Sequence, residues 1–158
     1  MLLIIAVTAG LVVLSVGIHF EVLVFLSFLI ERFRSRARLF VALSVLGALF
    51  AHLIEMVLFS IAYYVLHSTH RHGGLLSDAP PDDFSDYIYY SFVVYTSLGF
   101  GDITPTGLLR MLTAMETLTG LVLIAWTASF LFLQMQIHWG EITSQTHLFA
   151  NNESQSRD

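Results

Sequence analysis

Phe84-Ser-Asp-Tyr-Ile-Tyr-Tyr-Ser-Phe-Val-Val-Tyr-Thr96 runs straight into Ser97-Leu-Gly-Phe-Gly-Asp102 and then Ile103-Thr-Pro105. This segment is too polar and too short to cross a bilayer, yet it stands between two stretches that can. Its first part reads as about three turns of aromatic-rich helix, opened by Ser85 or Asp86 as a cap. Its second part sets Gly99 and Gly101 two apart around one large residue. Glycine reaches backbone conformations closed to other residues, so such alternation turns successive carbonyls toward one side. Irregular backbone at membrane depth survives only where protein buries it or where it lines a watery path. The segment therefore reads as re-entrant: a half-helix whose partially negative C-terminal end faces the membrane interior, followed by a loop whose carbonyls replace a cation's hydration shell.

Outward from it, three apolar blocks appear. Leu2–Ile30 is broken only by His19 and Glu21, Leu39–Leu66 by His52 and Glu55, and Leu108–Met135 by Arg110 and Glu116. The first would extend about 43 Å as a helix, against a hydrocarbon core of roughly 30 Å. It is too long for a signal-peptide core and has no basic residue before it, so it reads as a retained span. The whole chain agrees: 158 residues, 56% hydrophobic and only 12% charged, with a mean hydropathy of +0.74. A soluble domain carries roughly 25% charged residues. There are seven arginines, no lysine and no cysteine, which excludes disulfides, thiolate metal sites and a cysteine nucleophile. A net charge of -5 with one short basic loop argues against nucleic acid. Neither a hydrolytic triad nor a phosphate loop is visible, so no enzymatic activity is expected.

The basic loop, Glu31-Arg-Phe-Arg-Ser-Arg-Ala-Arg38, holds four of the arginines. Short positive loops stay cytoplasmic. That places the N-terminus outside, the segment after Leu66 outside and the C-terminus inside. Spaced every second residue, these arginines do not share one helix face, so they read as a topogenic loop and not as a voltage sensor. The loop from 67 to 84 carries His67, His70 and His72, a Gly-Gly pair and Pro80-Pro81. It reads as solvated and extracellular, with a histidine metal site as the lesser alternative. Residues 139–158 form a polar cytoplasmic tail.

Thr96-Ser97-Leu98-Gly99-Phe100-Gly101-Asp102 resembles the potassium-channel signature T-[TS]-[VIL]-G-[YF]-G-D. The frame around it is similar too: outer helix, loop, aromatic pore helix, filter, inner helix. The likeness covers about Arg38 to Gln136. It implies an all-α membrane protein of the bacterial two-helix pore type with one additional N-terminal transmembrane helix. Its units would be that helix at 1–33 and a pore domain at 38–138. The pore domain divides into outer helix 39–66, pore helix 85–96, filter 97–102 and inner helix 108–138. The resemblance further implies a homotetramer in a lipid bilayer, such as a bacterial inner membrane, with the re-entrant loops around a four-fold axis. K+ would be the transported ion, held by the carbonyls of Ser97, Leu98, Gly99 and Phe100, with no organic cofactor. Thr96 would lie at the filter's base and Asp102 behind its outer mouth.

This sequence departs from the common pattern. Ser97 keeps the threonine oxygen and loses the methyl that fixes its rotamer. Phe100 lacks a tyrosine hydroxyl that would brace the filter. Tyr89 and Tyr90 stand where paired tryptophans are common, with Tyr90 the expected donor to Asp102. Val93 occupies a place where some members carry a glutamate. These changes predict a potassium-selective but less firmly braced filter; the alternative is a weakly selective cation channel. In the inner helix, Gly120 reads equally as a hinge or as a packing residue. Leu121, Ile124, Ala128, Leu131 and Met135 share one face that would line the cavity and its gate.

His19 and His52 lie equally far from the middle of the arginine loop, so antiparallel neighbours hold them at one depth. Ionisable groups mid-membrane are expensive and usually pair. His19 with Glu55, or Glu21 with His52, are the natural couples. They read first as a clasp between helices, then as a pH sensor, then as a metal site. If the glycine loop were incidental, those pairs would suit a metal- or proton-coupled transporter or a membrane metalloenzyme. Glu116 is expected to hydrogen-bond the pore helix.

Overall fold

The computed structural model describes residues 1–33, 37–69, 73–77, 81 and 83–155, with side chains as far as Ile137. Its elements are α1 (Leu2–Arg32), α2 (Ala37–Ser68), β1 (Leu75–Leu76), α3 (Phe84–Tyr95), β2 (Thr104–Pro105) and α4 (Leu109–Gln155). Three segments are long and apolar enough to cross a membrane: Leu2–Arg32, Leu39–Ser68 and Leu109–Ile137. This is an integral membrane protein of helices.

α1 is apolar all round, and the face it buries is a narrow stripe of Ile4, Thr8, Ser15, His19, Leu23, Leu26 and Ile30. Spacings of three, four and seven keep these side chains on one side. That side packs on α2 and α4. Its remaining large side chains, Phe20, Phe25 and Phe28 among them, are exposed and suit lipid. Between apolar helices in lipid there is little hydrophobic gain, so close packing and hydrogen bonds hold the bundle. Gln134 Nε2 donates to Ser27 Oγ at 3.0 Å, joining α4 to α1. Around α3 sits the main core: Phe59, Tyr63 and Leu66 of α2, Tyr87, Tyr90 and Val94 of α3, and Leu109 and Leu112 of α4.

α3 begins one residue earlier than expected. Asp83, not Ser85 or Asp86, is its cap, and Asp86 completes a capping box by accepting the Asp83 N–H at 3.4 Å. α4 continues through the stretch read as a polar tail, since no proline interrupts it before Gln155. Within the loop after α2, residues 75 and 76 form a short strand. β1 pairs antiparallel with β2, Leu75 opposite Pro105 and Leu76 opposite Thr104. Gly74 N–H donates to Thr106 Oγ1 at 2.9 Å, and Thr106 N–H returns to the Gly74 carbonyl at 2.8 Å. Beside them, Gly73 has φ +110°, and a side chain there would strike the Thr106 carbonyl. The Gly-Gly pair thus lets residues 73–77 lie on the segment that leaves Gly101-Asp102. His67 Nδ1 accepts the Leu75 N–H at 3.3 Å, while His70, His72 and Arg34 to Arg36 lie outside the described residues.

Candidate functional site

Burial changes abruptly at the end of α3. Val93, Val94 and Tyr95 are buried, whereas every residue from Thr96 to Asp102 except the backbone ties described next is exposed on the single chain, Leu98 by 58% and Phe100 by 65%. The loop's backbone alternates as the glycine spacing requires. Gly99 has φ +56° and Gly101 φ +81°, and Ser97 joins them at φ +58°. A non-glycine residue there is uncommon and costs about 1–3 kcal/mol. Side-chain reasoning gave no signal for it.

Hydrogen bonds fix the loop's direction. Ser97 N–H donates to the Val94 carbonyl at 2.9 Å, and the Leu98 and Gly99 N–H groups both donate to the Val93 carbonyl, at 2.9 and 3.3 Å. In a trans peptide the C=O points opposite to the following N–H. The carbonyls of Thr96, Ser97 and Leu98 therefore face away from α3. Val93 matters here through its backbone, where the sequence directed attention to its side chain. At the outer end, Tyr89 donates to Asp102 Oδ2 at 2.8 Å, correcting the assignment of that bond to Tyr90. Tyr90 instead pairs with Thr113 Oγ1 at 2.8 Å. Residue 89 faces out from α3 and residue 90 faces in, so only the first reaches Asp102. The shared hydrogen bond holds the Asp102 carboxyl below its ordinary range and the Tyr89 phenol above its own.

Two carboxylates flank α3 from behind. Glu116 of α4 accepts from Tyr63 at 2.6 Å and from Ser91, whose hydroxyl also lies 2.7 Å from the Met56 carbonyl. Glu116 thus hydrogen-bonds α3, the contact expected of it. Lower down, Glu55 of α2 faces His19 Nδ1 at 2.9 Å and His52 Nδ1 at 3.2 Å, and accepts the Tyr95 hydroxyl. His52 Nδ1 is also 2.9 Å from the Tyr95 oxygen. Both Nε2 atoms lie 3.1 Å from Thr127 Oγ1. His19 does pair with Glu55, but Glu21 takes no part: two residues along α1 it lies off the buried stripe and is exposed. His52 therefore shares Glu55. Tyr95 and Thr127 escaped the sequence reading, since one looked like core aromatic and the other like an isolated hydroxyl in an apolar helix.

Gly120 sits against the last turn of α3. A Cβ there would collide with the Tyr95 carbonyl oxygen and lie 3.0 Å from Tyr95 Cδ1. Close packing thus explains the missing side chain. Leu121, Ile124, Ala128 and Met135 are exposed on the single chain, and Leu131 is partly covered. Ile124, Ala128 and Leu131 line an apolar hollow of about 390 Å³ that reaches His52, Tyr95 and Thr96.

The profile of a family described as "Ion channel" matches residues 39–136, well over half of the chain. No curated protein matches. The chain belongs to the ion channel family, in the two-helix form typical of potassium channels. α2, α3 and the apolar part of α4 fall within the match, and α1 lies outside it.

Proposed function

We propose that this ion channel family member conducts K+ selectively as a homotetramer, with residues Thr96–Asp102 of four chains arranged about a common axis. α3 is then the re-entrant pore helix. Ser97, Leu98, Gly99 and Phe100 supply the carbonyl sites for the ion, Asp102 stands behind the outer mouth, and Leu121 to Met135 of α4 line the inner path. The basic loop at 31–38 lies on the cytoplasmic side.

The observation that carries this reading is the tethered, alternating backbone. The N–H groups of Ser97, Leu98 and Gly99 are turned back onto Val93 and Val94, and the paired carbonyls point away from the chain's own protein. A membrane protein leaves such groups turned outward only toward a watery path or a cation. One chain offers a single exposed wall, and copies around an axis would close it. The C-terminal end of α3 adds its partial negative charge to the same place.

Reversal potentials of the purified protein in planar bilayers, with K+ on one side and Na+ on the other, test the selectivity. A strong K+ preference is expected. Equal permeability would overturn potassium selectivity and leave a weakly selective cation channel. Gly99→Ala, which puts a side chain at φ +56°, should abolish conduction; unchanged current would remove the loop from the ion path.

A further inference from the structure

The geometry points to a divalent transition-metal site, of the kind zinc occupies, formed by His19, His52 and Glu55 at the foot of α3. The ligand atoms of these three buried residues lie within 4.8 Å of one another. Imidazole nitrogen and carboxylate oxygen are ordinary donors for such ions. The site joins α1, the helix outside the family match, to α2.

Hydrogen-bond arithmetic supports a cation here. The Nδ1 atoms of both rings face the Glu55 carboxylate, and both Nε2 atoms face the single Thr127 hydroxyl at 3.1 Å. A neutral imidazole carries one N–H. With both protons on Nδ1, two Nε2 lone pairs meet a hydroxyl that has one proton to give. Moving either proton to Nε2 sets an Nδ1 lone pair against a carboxylate oxygen. The Tyr95 hydroxyl lies against both the carboxylate and His52 Nδ1 and has one proton to give, so with Glu55 ionised it serves only one of them. With Glu55 ionised, as a metal ligand is, the set is one positive charge short.

A metal ion between the Nδ1 atoms and the carboxylate removes the shortage. Each ring then carries its proton on Nε2, and the Thr127 oxygen has two lone pairs to accept both. Tyr95 remains as the donor that orients the carboxylate. Metal-bound histidines usually direct their second nitrogen to such an acceptor. Both rings turn the same way, Nδ1 toward the carboxylate, with centroids 5.0 Å apart. The C-terminal end of α3, one residue from the loop, also favours a cation.

Metal analysis and Co2+ titration of the purified full-length protein test the site. One Zn2+ per chain is expected, together with d–d absorption of bound Co2+ that Zn2+ displaces. His19→Gln and His52→Gln should lose this absorption. Thr127→Val should weaken Co2+ binding about 10–100-fold. Glu21→Gln and the triple variant His67→Ala, His70→Ala, His72→Ala should keep it. X-ray absorption at the zinc edge should report two imidazoles with oxygen, which guards against variants that fail to fold. Metal-free wild type without a Co2+ spectrum overturns the proposal and leaves a proton as the cation. Binding that survives both histidine variants overturns it too. None of these readouts involves current, so failure here is distinct from failure of the potassium reading.

Discussion

Glu55 and Glu116 are both wholly buried, and both stand behind the same short helix, yet their surroundings differ in kind. Glu116 is ringed by hydroxyls: Tyr63 and Ser91 reach it directly, with Thr113 beside Tyr63 at 3.3 Å. Such groups only donate protons to a carboxylate and bring no compensating charge. Glu55 has two imidazoles and a phenol. Imidazole nitrogens ligate metals, so this surrounding can respond to a cation. Both carboxylates tie a spanning helix to α3. Glu116 braces α3 through Ser91, and Glu55 brings α1 into the same structure through His19. They share one helix, and Gly120 packs against its last turn at Tyr95.

Gly120→Ala attacks both at once and should have the largest effect. The new methyl overlaps the Tyr95 backbone, so α3 must move away from α4. Overpacking of this sort typically costs about 1–3 kcal/mol. Current should fall sharply, and thermal unfolding in detergent should begin at a lower temperature. Wild-type current and melting would show that α4 can yield without moving α3, and would return Gly120 to a hinge role.

Glu116→Gln separates the two glutamates. Its amide oxygen can still accept the Tyr63 hydroxyl, but the NH2 group makes Ser91 Oγ an acceptor and leaves the serine proton to the Met56 carbonyl alone; rearranging a buried hydrogen bond in this way costs about 0.5–1.5 kcal/mol. Lower thermal stability is expected, with Co2+ binding at the His19 and His52 site unchanged. Tyr95→Phe is the converse and milder change. It removes a hydroxyl that Glu55 shares with His52 Nδ1 and leaves Glu116 alone, and a hydrogen bond between membrane helices averages about 0.6 kcal/mol. A small stability loss should come with altered Co2+ binding. If Glu116→Gln altered the metal site as much as Tyr95→Phe does, the two surroundings would have to be one coupled network.

The smallest effect belongs to Tyr89→Phe, at the exposed mouth, where neither glutamate is in contact. The Tyr89 bond lowers the Asp102 carboxyl below its ordinary value. A lowered carboxylate favours the folded mouth above that ordinary value, and the benefit is lost as pH falls through the lowered one. In Tyr89→Phe the acid-side decline of the current should therefore move to higher pH. No shift would mean that Tyr89 does not brace Asp102 during conduction.

Much of this was legible in the residues. The three spans follow from uninterrupted apolar length, and the alternating glycines announced a loop that only backbone chemistry could explain. Equal distance from the arginine loop foretold that His19 would reach the level of His52. Which tyrosine reaches Asp102 was not legible, because neighbours at 89 and 90 differ by the rotation of α3, and packing sets that rotation. Nor was the exclusion of Glu21, which lies two residues from His19 and so on another side of α1.

By itself the sequence determined the elements that follow from composition and local stereochemistry: apolar length for the spans, glycine for the left-handed turns, aspartate for the helix start. Tertiary structure alone decided what buried polar atoms face, because hydrogen bonds depend on directions fixed by helix rotation and depth. It turned Val93 from a side-chain question into a backbone acceptor and put Ser97 at a positive φ. It also gathered His19, His52, Glu55, Tyr95 and Thr127 from four helices into one site, a meeting that no spacing within any one helix could encode.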